Sequence, residues 1–271
     1  SIQLSITGMK CGGCVSTVEK ILNNSDGIEN VSVNLLTESA YFEITQKHIE
    51  IETVLDNLSL EIFENESLAI IGESGSGKSV LTKCINGLTE YNEGKIIYEN
   101  SYDVKNLKTE EKRLHTSKFG VLFQNSALFD SLNVEKNIFF SCSEKKDFSI
   151  LRDVGLDKSI LSKMPAEISV GVQKRVGLAR AIMSKPKILI FDEPTTGLDP
   201  VIADQINKLI RGLVIKKKLT TITITHDMKS VYEYADKVAF IKNGKIEWYG
   251  QVKQLKNCKN IYMKNFISGK I

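Results

Sequence analysis

Two continuous apolar runs, Leu68-Ala69-Ile70-Ile71 and Ile188-Leu189-Ile190-Phe191, have the pattern of strands buried on both faces. The first enters a glycine-rich loop, Gly72-Glu73-Ser74-Gly75-Ser76-Gly77-Lys78-Ser79, and a helix-like stretch from Val80; the second ends in Asp192-Glu193-Pro194. Between them, apolar positions at Val176, Leu178, Ala179, Ala181 and Ile182 predict a helix. Before residue 54 the rhythm changes. Residues 2–7 alternate as a strand, residues 8–14 form a loop, Val15, Val18, Ile21 and Leu22 share a helix face, and residues 29–35 and 38–45 predict two more strands. At the junction two periods compete. Ile51, Val54, Leu55 and Leu58 fit i, i+3, i+4, i+7, with residues 60–63 as a following strand, while Leu58, Leu60 and Ile62 alternate as a strand leading to the glycine loop. No Pro/Gly/Ser linker separates the two halves.

The glycine loop predicts phosphate binding. Its glycines let the backbone curl so that successive N–H groups face an anion, the following helix adds its positive end, and Lys78 adds a full charge. Ser79 is then placed to hold Mg²⁺ through its hydroxyl. The acids after the second strand would be delivered beside that loop, Asp192 holding Mg²⁺ through water and Glu193 polarising an attacking water.

A chain of 271 residues, 42% of them hydrophobic, can bury a real core, enough for one large α/β domain and a small module. With 36 basic against 33 acidic residues, charge gives no argument for a nucleic-acid partner, and none is expected. No run approaches a membrane span and residues 1–4 lack a signal-peptide layout, so a soluble cytosolic protein is expected. The five cysteines are an odd number and disulfides are not expected; Cys84, Cys142 and Cys258 read as small packing thiols. Cys11 and Cys14, two residues apart in the N-terminal loop, read as a soft-metal pair, with a redox pair as the alternative.

The segment Pro165-Ala166-Glu167-Ile168-Ser169-Val170-Gly171-Val172-Gln173-Lys174-Arg175 resembles the signature motif of ABC-transporter ATPases, and Gly177-Leu178-Ala179-Arg180-Ala181 the helix that follows it. Other elements stand in that family's order: Gln124 after Phe119-Gly120-Val121-Leu122-Phe123 resembles the Q-loop, Gly197-Leu198-Asp199 the D-loop, and His226 after Thr221-Ile222-Thr223-Ile224-Thr225 the switch histidine. The resemblance implies an α/β P-loop NTPase core with a helical signature subdomain, binding ATP through residues 72–79 and Asp199. It implies Mg²⁺ between Ser79, Gln124 and Asp192, and hydrolysis by Glu193 with Gln124 and His226. It further implies a head-to-tail dimer in which Ser169 and Gly171 of one subunit complete the other's ATP site, an arrangement suited to neutralising a γ-phosphate from the opposite side.

Phe123-Gln124-Asn125-Ser126-Ala127-Leu128-Phe129-Asp130-Ser131-Leu132 is similar to the Q-loop region of Mla-type ATPases, with Phe129-Asp130 the most discriminating piece. That similarity implies phospholipid transport, a separate membrane permease docked beside Gln124, and a peripheral place on the cytoplasmic side of the inner membrane. Two departures carry expectations. Val170 stands where the first signature glycine usually sits, and a backbone needing glycine there would make hydrolysis slow. The ring that stacks on adenine falls near His48 or Ile49, neither a good stacking partner.

Residues 2–22, with Gly8-Met9-Lys10-Cys11-Gly12-Gly13-Cys14, resemble the heavy-metal-associated domain of copper chaperones, a ferredoxin-like βαββ module in which Cys11 and Cys14 would bind Cu(I) or Zn²⁺. The expected layout is this module over residues 1–50, reaching 63 on one template, the ATPase over 51–250, and a tail over 251–271. In such a fusion residues 40–45 would serve as an edge strand of the ATPase. Beside transport stand two alternatives: an ATPase responsive to metal or moving it, and a soluble ABC-type ATPase not coupled to transport.

Overall fold

The computed structural model describes residues 2–5, 19, 28–34, 39–44, 58–142 and 146–269. Cys11, Cys14, His48 and Ile49 lie outside them, as does most of the helix expected from Val15. The chain divides into two compact units, residues 1–53 and 54–271.

In the first unit, β1 (Ile2–Ser5), β2 (Ile28–Asn34) and β3 (Ser39–Ile44) form an antiparallel sheet in the order β1-β3-β2. The expectation that residues 40–45 edge the ATPase sheet is corrected here. β3 pairs with β1 on one side and β2 on the other, so neither of its ladders is open to a further strand.

Among the described residues of the second unit, six strands form a sheet in the order β11-β10-β4-β9-β8-β7. They are β4 (Ser67–Ile71), β7 (Phe119–Leu122), β8 (Ile188–Asp192), β9 (Thr220–Ile224), β10 (Lys237–Lys242) and β11 (Lys245–Gln251). All neighbours are parallel except β11, which returns antiparallel on β10. A short antiparallel pair, β5 (Ile97–Tyr98) and β6 (Tyr102–Asp103), stands apart. The apolar runs are continuous because both faces of the sheet are covered. On β4, Leu68 and Ile70 pack with Leu81, Phe119, Ile190 and Ile222, while Ala69 and Ile71 pack with Val238, Phe240, Leu255 and Met263.

Helices α1 (Lys78–Ile85), α2 (Thr109–Thr116), α3 (Val134–Ile138), α4 (Ser149–Asp153), α5 (Val170–Met183), α6 (Pro200–Lys217), α7 (Met228–Tyr234) and α8 (Ile261–Ile267) complete the unit. The predicted apolar positions of α5 are its buried side: Val176, Leu178, Ala179 and Ala181 join Leu189 and Phe191 of β8 and Ile206, Ile210 and Leu213 of α6. Within residues 251–269, part of the stretch read as a tail, Leu255, Cys258 and Met263 are buried against β4 and β10. At the junction, Leu58, Leu60 and Ile62 pack against the cluster around Leu68 while the residues between them are exposed. Tyr249 Oη donates to the Glu61 carbonyl at 2.7 Å.

One polar cluster stiffens this unit. His115 is 1% exposed, with Nε2 2.9 Å from the Ile85 carbonyl and Nδ1 3.0 Å from Tyr102 Oη. A nitrogen facing a carbonyl must donate, so Nε2 carries a proton, and in the neutral ring that burial favours Nδ1 accepts from the tyrosine. Burial pushes its pKa below the ordinary 6.5, opposed by the Ile85 hydrogen bond and reinforced by Lys118. The unfolded chain therefore binds the proton first. Stability from this site is complete above pH 6.5 and is lost as pH falls from there through the depressed native value. Thermal unfolding at pH 7.5 and pH 5.5 is expected to show a larger acid loss of Tm in the native chain than in His115→Gln; equal losses would exclude His115 as a source.

Candidate active site

The phosphate loop leaves the carboxyl end of β4 and closes on α1, whose N-cap is Gly77 with φ 97°. Its start is fixed by close packing: a Cβ on Gly72 would lie 2.1 Å from the Ile241 carbonyl oxygen. Lys78 is folded back over the loop, its Nζ donating to the carbonyls of Gly72 at 2.9 Å and Glu73 at 2.6 Å, with Ser76 Oγ at 3.5 Å. Burial lowers the Lys78 pKa, while the nearby carboxylates of Glu193, Asp192 and Glu73 favour its charged form. Lys78 and Ser76 are buried; Ser74, Gly75 and Ser79 face solvent.

Asp192 ends β8, a strand separated from β4 by β9 alone, and Glu193 follows it. Burial raises the Asp192 pKa, as does the adjacent Glu193, against Lys83, Lys78 and Lys174. Glu193 has a left-handed backbone, φ 45°, pinned by its N–H donating to the Ile224 carbonyl at 2.9 Å. Its carboxylate is held at both oxygens: Thr196 Oγ1 donates to Oε2 at 2.9 Å, and His226 Nδ1 lies 3.4 Å from Oε1. His226 is poised by its neighbours, as the Thr225 N–H donates to the Ile70 carbonyl and Thr225 Oγ1 accepts from the Asp227 N–H. The partly buried Asp192 carboxylate and the exposed Ser79 hydroxyl are hard oxygen donors, a set that fits Mg²⁺. Gln124 lies in an exposed turn after β7.

Ser169 is the N-cap of α5, its Oγ accepting from the Val172 N–H at 3.4 Å. Val170 opens α5 and is not among the residues of positive φ, so the condition attached to it, a backbone that needs glycine, is not met in the backbone angle. The first turn of a helix accepts any L-residue without that strain. Gly171 is needed for another reason, because a Cβ there would come within 2.9 Å of Ile202 on α6. Asp199 caps α6, accepting from the N–H groups of Val201 at 3.0 Å and Ile202 at 3.1 Å.

Sequence reading passed over four side chains. Thr196 orients Glu193. Asn137, fully buried, accepts from the Phe129 N–H and donates to the carbonyls of Phe129, Leu132 and Asn133, fixing the loop after Gln124. Lys174 and Arg180 of α5 grip the carbonyls of the Gln124 turn. Only Thr196, three residues past Glu193, had a local signal. The partners of Lys174 and Arg180 lie too far away in the chain, and those of Asn137 are backbone groups that no side-chain pattern marks.

The fold and this constellation define a nucleotide-hydrolysing cassette. Residues 55–196 match the family described as ABC transporter, and the chain belongs to that family as an ATPase. Residues 3–63 match the heavy-metal-associated domain, overlapping the first match at 55–63, the stretch where two periods compete. The chain is 34% identical to the phosphonates import ATP-binding protein PhnC of Treponema denticola over 72% of this chain and 82% of that protein. It is 37% identical to the methionine import ATP-binding protein MetN of Clostridium tetani, over 74% of this chain and 66% of that one. The chloroplastic protein TRIGALACTOSYLDIACYLGLYCEROL 3 of Arabidopsis thaliana is 30% identical over 90% of this chain and 76% of its own length. Among solved structures, cbiO1 of Clostridium perfringens, part of the ABC transporter complex cbiONQ, superposes with a TM-score of 0.69, 28% identity, and coverage of 79% of this chain and 88% of that one. A post-hydrolysis dimer of the ATP-binding cassette MJ0796 with ADP and Pi gives 0.66, at 25% identity over 83% and 97%. No helix among the described residues is long and apolar enough to cross a membrane.

Proposed function

We propose that this chain binds and hydrolyses ATP to drive phospholipid transport through a separate membrane permease, working as a head-to-tail pair at the cytoplasmic membrane face. The observation that carries the hydrolytic part is the meeting of Lys78, Asp192, Glu193 and His226 at the carboxyl ends of neighbouring parallel strands. In this reading residues 72–79 cradle the phosphates, and Ser79, Asp192 and Gln124 hold Mg²⁺, which neutralises charge on the phosphates. Glu193 polarises the attacking water and His226 senses the γ-phosphate. Ser169 and Gly171, opening a 14-residue helix, face the nucleotide of the second subunit. Asp199, already spent on capping α6, acts there through the position of its loop.

The lipid reading is supported by the Phe129-Asp130 loop and by a relative whose name carries a glycerolipid. Relatives named as importers of methionine, phosphonates or Fe(3+) ions stand for the competing substrates. The heavy-metal-associated match favours a second role, control of the ATPase by a soft metal at Cys11 and Cys14. The chain should be captured from membranes with its permease, rebuilt in phospholipid vesicles, and assayed for ATP turnover and lipid transfer. ATP-dependent lipid transfer is the expected result. Stimulation by methionine, a phosphonate or Fe³⁺ with no lipid transfer would overturn it. The same assay with Cu(I), on the native chain and on Cys11→Ser, decides the second role: identical rates would leave the module without a regulatory part.

A further inference from the structure

The turn that carries Gln124 is held from inside the core. Ser126 and Ala127 both have left-handed backbones, φ 58° and 44°, a costly conformation for non-glycine residues that persists only where the surroundings enforce it. That enforcement comes from one side of α5. Arg180 donates to the carbonyls of Ser126 and Ala127, each at 2.8 Å, and Gly177 lets the turn approach, since a Cβ there would stand 3.3 Å from the Ser126 carbonyl oxygen. Lys174, one and two turns nearer the start of the helix, donates to the carbonyl of Gln124 itself. Its side chain is 1% exposed, among the largest fully buried side chains of the described residues. A lysine is rarely buried so completely without a paired charge. The Lys174 ammonium also lies within electrostatic reach of both Asp192 and Glu193.

We propose that Lys174 is a positioning residue: it fixes the Gln124 peptide, and so the direction of the Gln124 side chain, relative to the Asp192 and Glu193 carboxylates. The inference rests on the hydrolytic reading above. Lys174 touches neither nucleotide nor water in that reading; it sets the place of a side chain that does. It reaches the turn from 50 residues further along the chain, so that the turn and the acid pair share one buried cation.

Two substitutions separate the possibilities. Lys174→Met keeps length and removes both charge and donor; Lys174→Gln keeps a donor without charge. Turnover at saturating ATP, its Mg²⁺ dependence, binding of a fluorescent ATP analogue, and backbone hydrogen exchange are measured on the full chain. In Lys174→Met, turnover is expected to fall at least about tenfold, the cost of one charge-assisted hydrogen bond. The Mg²⁺ requirement should rise, analogue affinity should stay within about twofold, and exchange should accelerate at residues 124–127 but not in β8. Lys174→Gln should recover part of each loss. Native turnover and Mg²⁺ dependence in Lys174→Met would overturn the proposal, and so would faster exchange spread evenly through β8 and β9, the mark of a packing residue. If Lys174→Met does not fold, Lys174→Gln decides by whether its Mg²⁺ requirement rises. A native chain that hydrolyses no ATP would sink the hydrolytic reading instead, and exchange at 124–127 would still test the clamp.

Discussion

Glu193→Gln is expected to lower ATP turnover by at least about a hundredfold, the range for loss of a positioned general base, while ATP binding is retained. The expectation comes from how the side chain is held. Gln has the same shape and can still accept from Thr196 Oγ1 through its amide oxygen, so the loop and the left-handed backbone at φ 45° have no reason to move. What disappears is the negative charge beside Asp192 and His226. Binding should tighten or stay level, because the charge removed is one that would repel a triphosphate. Turnover and binding of a fluorescent ATP analogue, measured on one preparation, separate the two effects. Turnover within tenfold of the native rate would remove Glu193 from the chemistry.

Gly72→Ala should damage stability and nucleotide affinity together, by about 3 kcal/mol or more in stability, since it adds an atom to a filled site and strains the backbone. The new Cβ would stand 2.1 Å from a main-chain carbonyl, that of Ile241, and 3.0 Å from Ser76 Oγ, at φ 151°. A backbone oxygen in β10 cannot turn aside as a side chain could, so either β10 or the loop must shift. Either movement also displaces the Gly72 carbonyl that holds Lys78. Gly75→Ala is the matched control, with φ 78° and nothing within 4 Å of the added atom, so it carries only backbone strain, about 1 kcal/mol. Urea unfolding of the two variants decides the matter. Equal midpoints would mean that the contact with Ile241 relaxes freely.

The phosphate loop and the acid pair were legible because each is a short motif tied to a buried apolar run, and both runs became strands at the expected places. What Val170 does to the backbone could not be read from a family's glycine, because the conformation at that position, the ordinary first turn of α5, is set by the fold. Residues 40–45 misled for a topological reason: a period-two pattern fixes which face is apolar but not which neighbour fills the ladder, and β3 found two within its own sheet. Lys174 and Arg180 stood in the signature segment and its helix with no role assigned, because their partners lie 50 and 54 residues away, at a distance no local period reaches. Asn137, four times bonded beneath the Phe129 loop, was hidden for another reason: its partners are backbone groups four to eight residues before it, which no side-chain pattern marks.

Residues 58–62 have a consequence for the ancestry of the chain. Their three apolar side chains line the ATPase core, although the heavy-metal-associated match also claims them. Two genes joined end to end would leave each partner's last and first residues to itself. Here one stretch matches both family models, while its apolar side chains pack in the second unit. The halves can therefore be parted only before Leu58, where the loss falls on the metal-type module; a cut after Phe63 would strip Leu58, Leu60 and Ile62 from the ATPase.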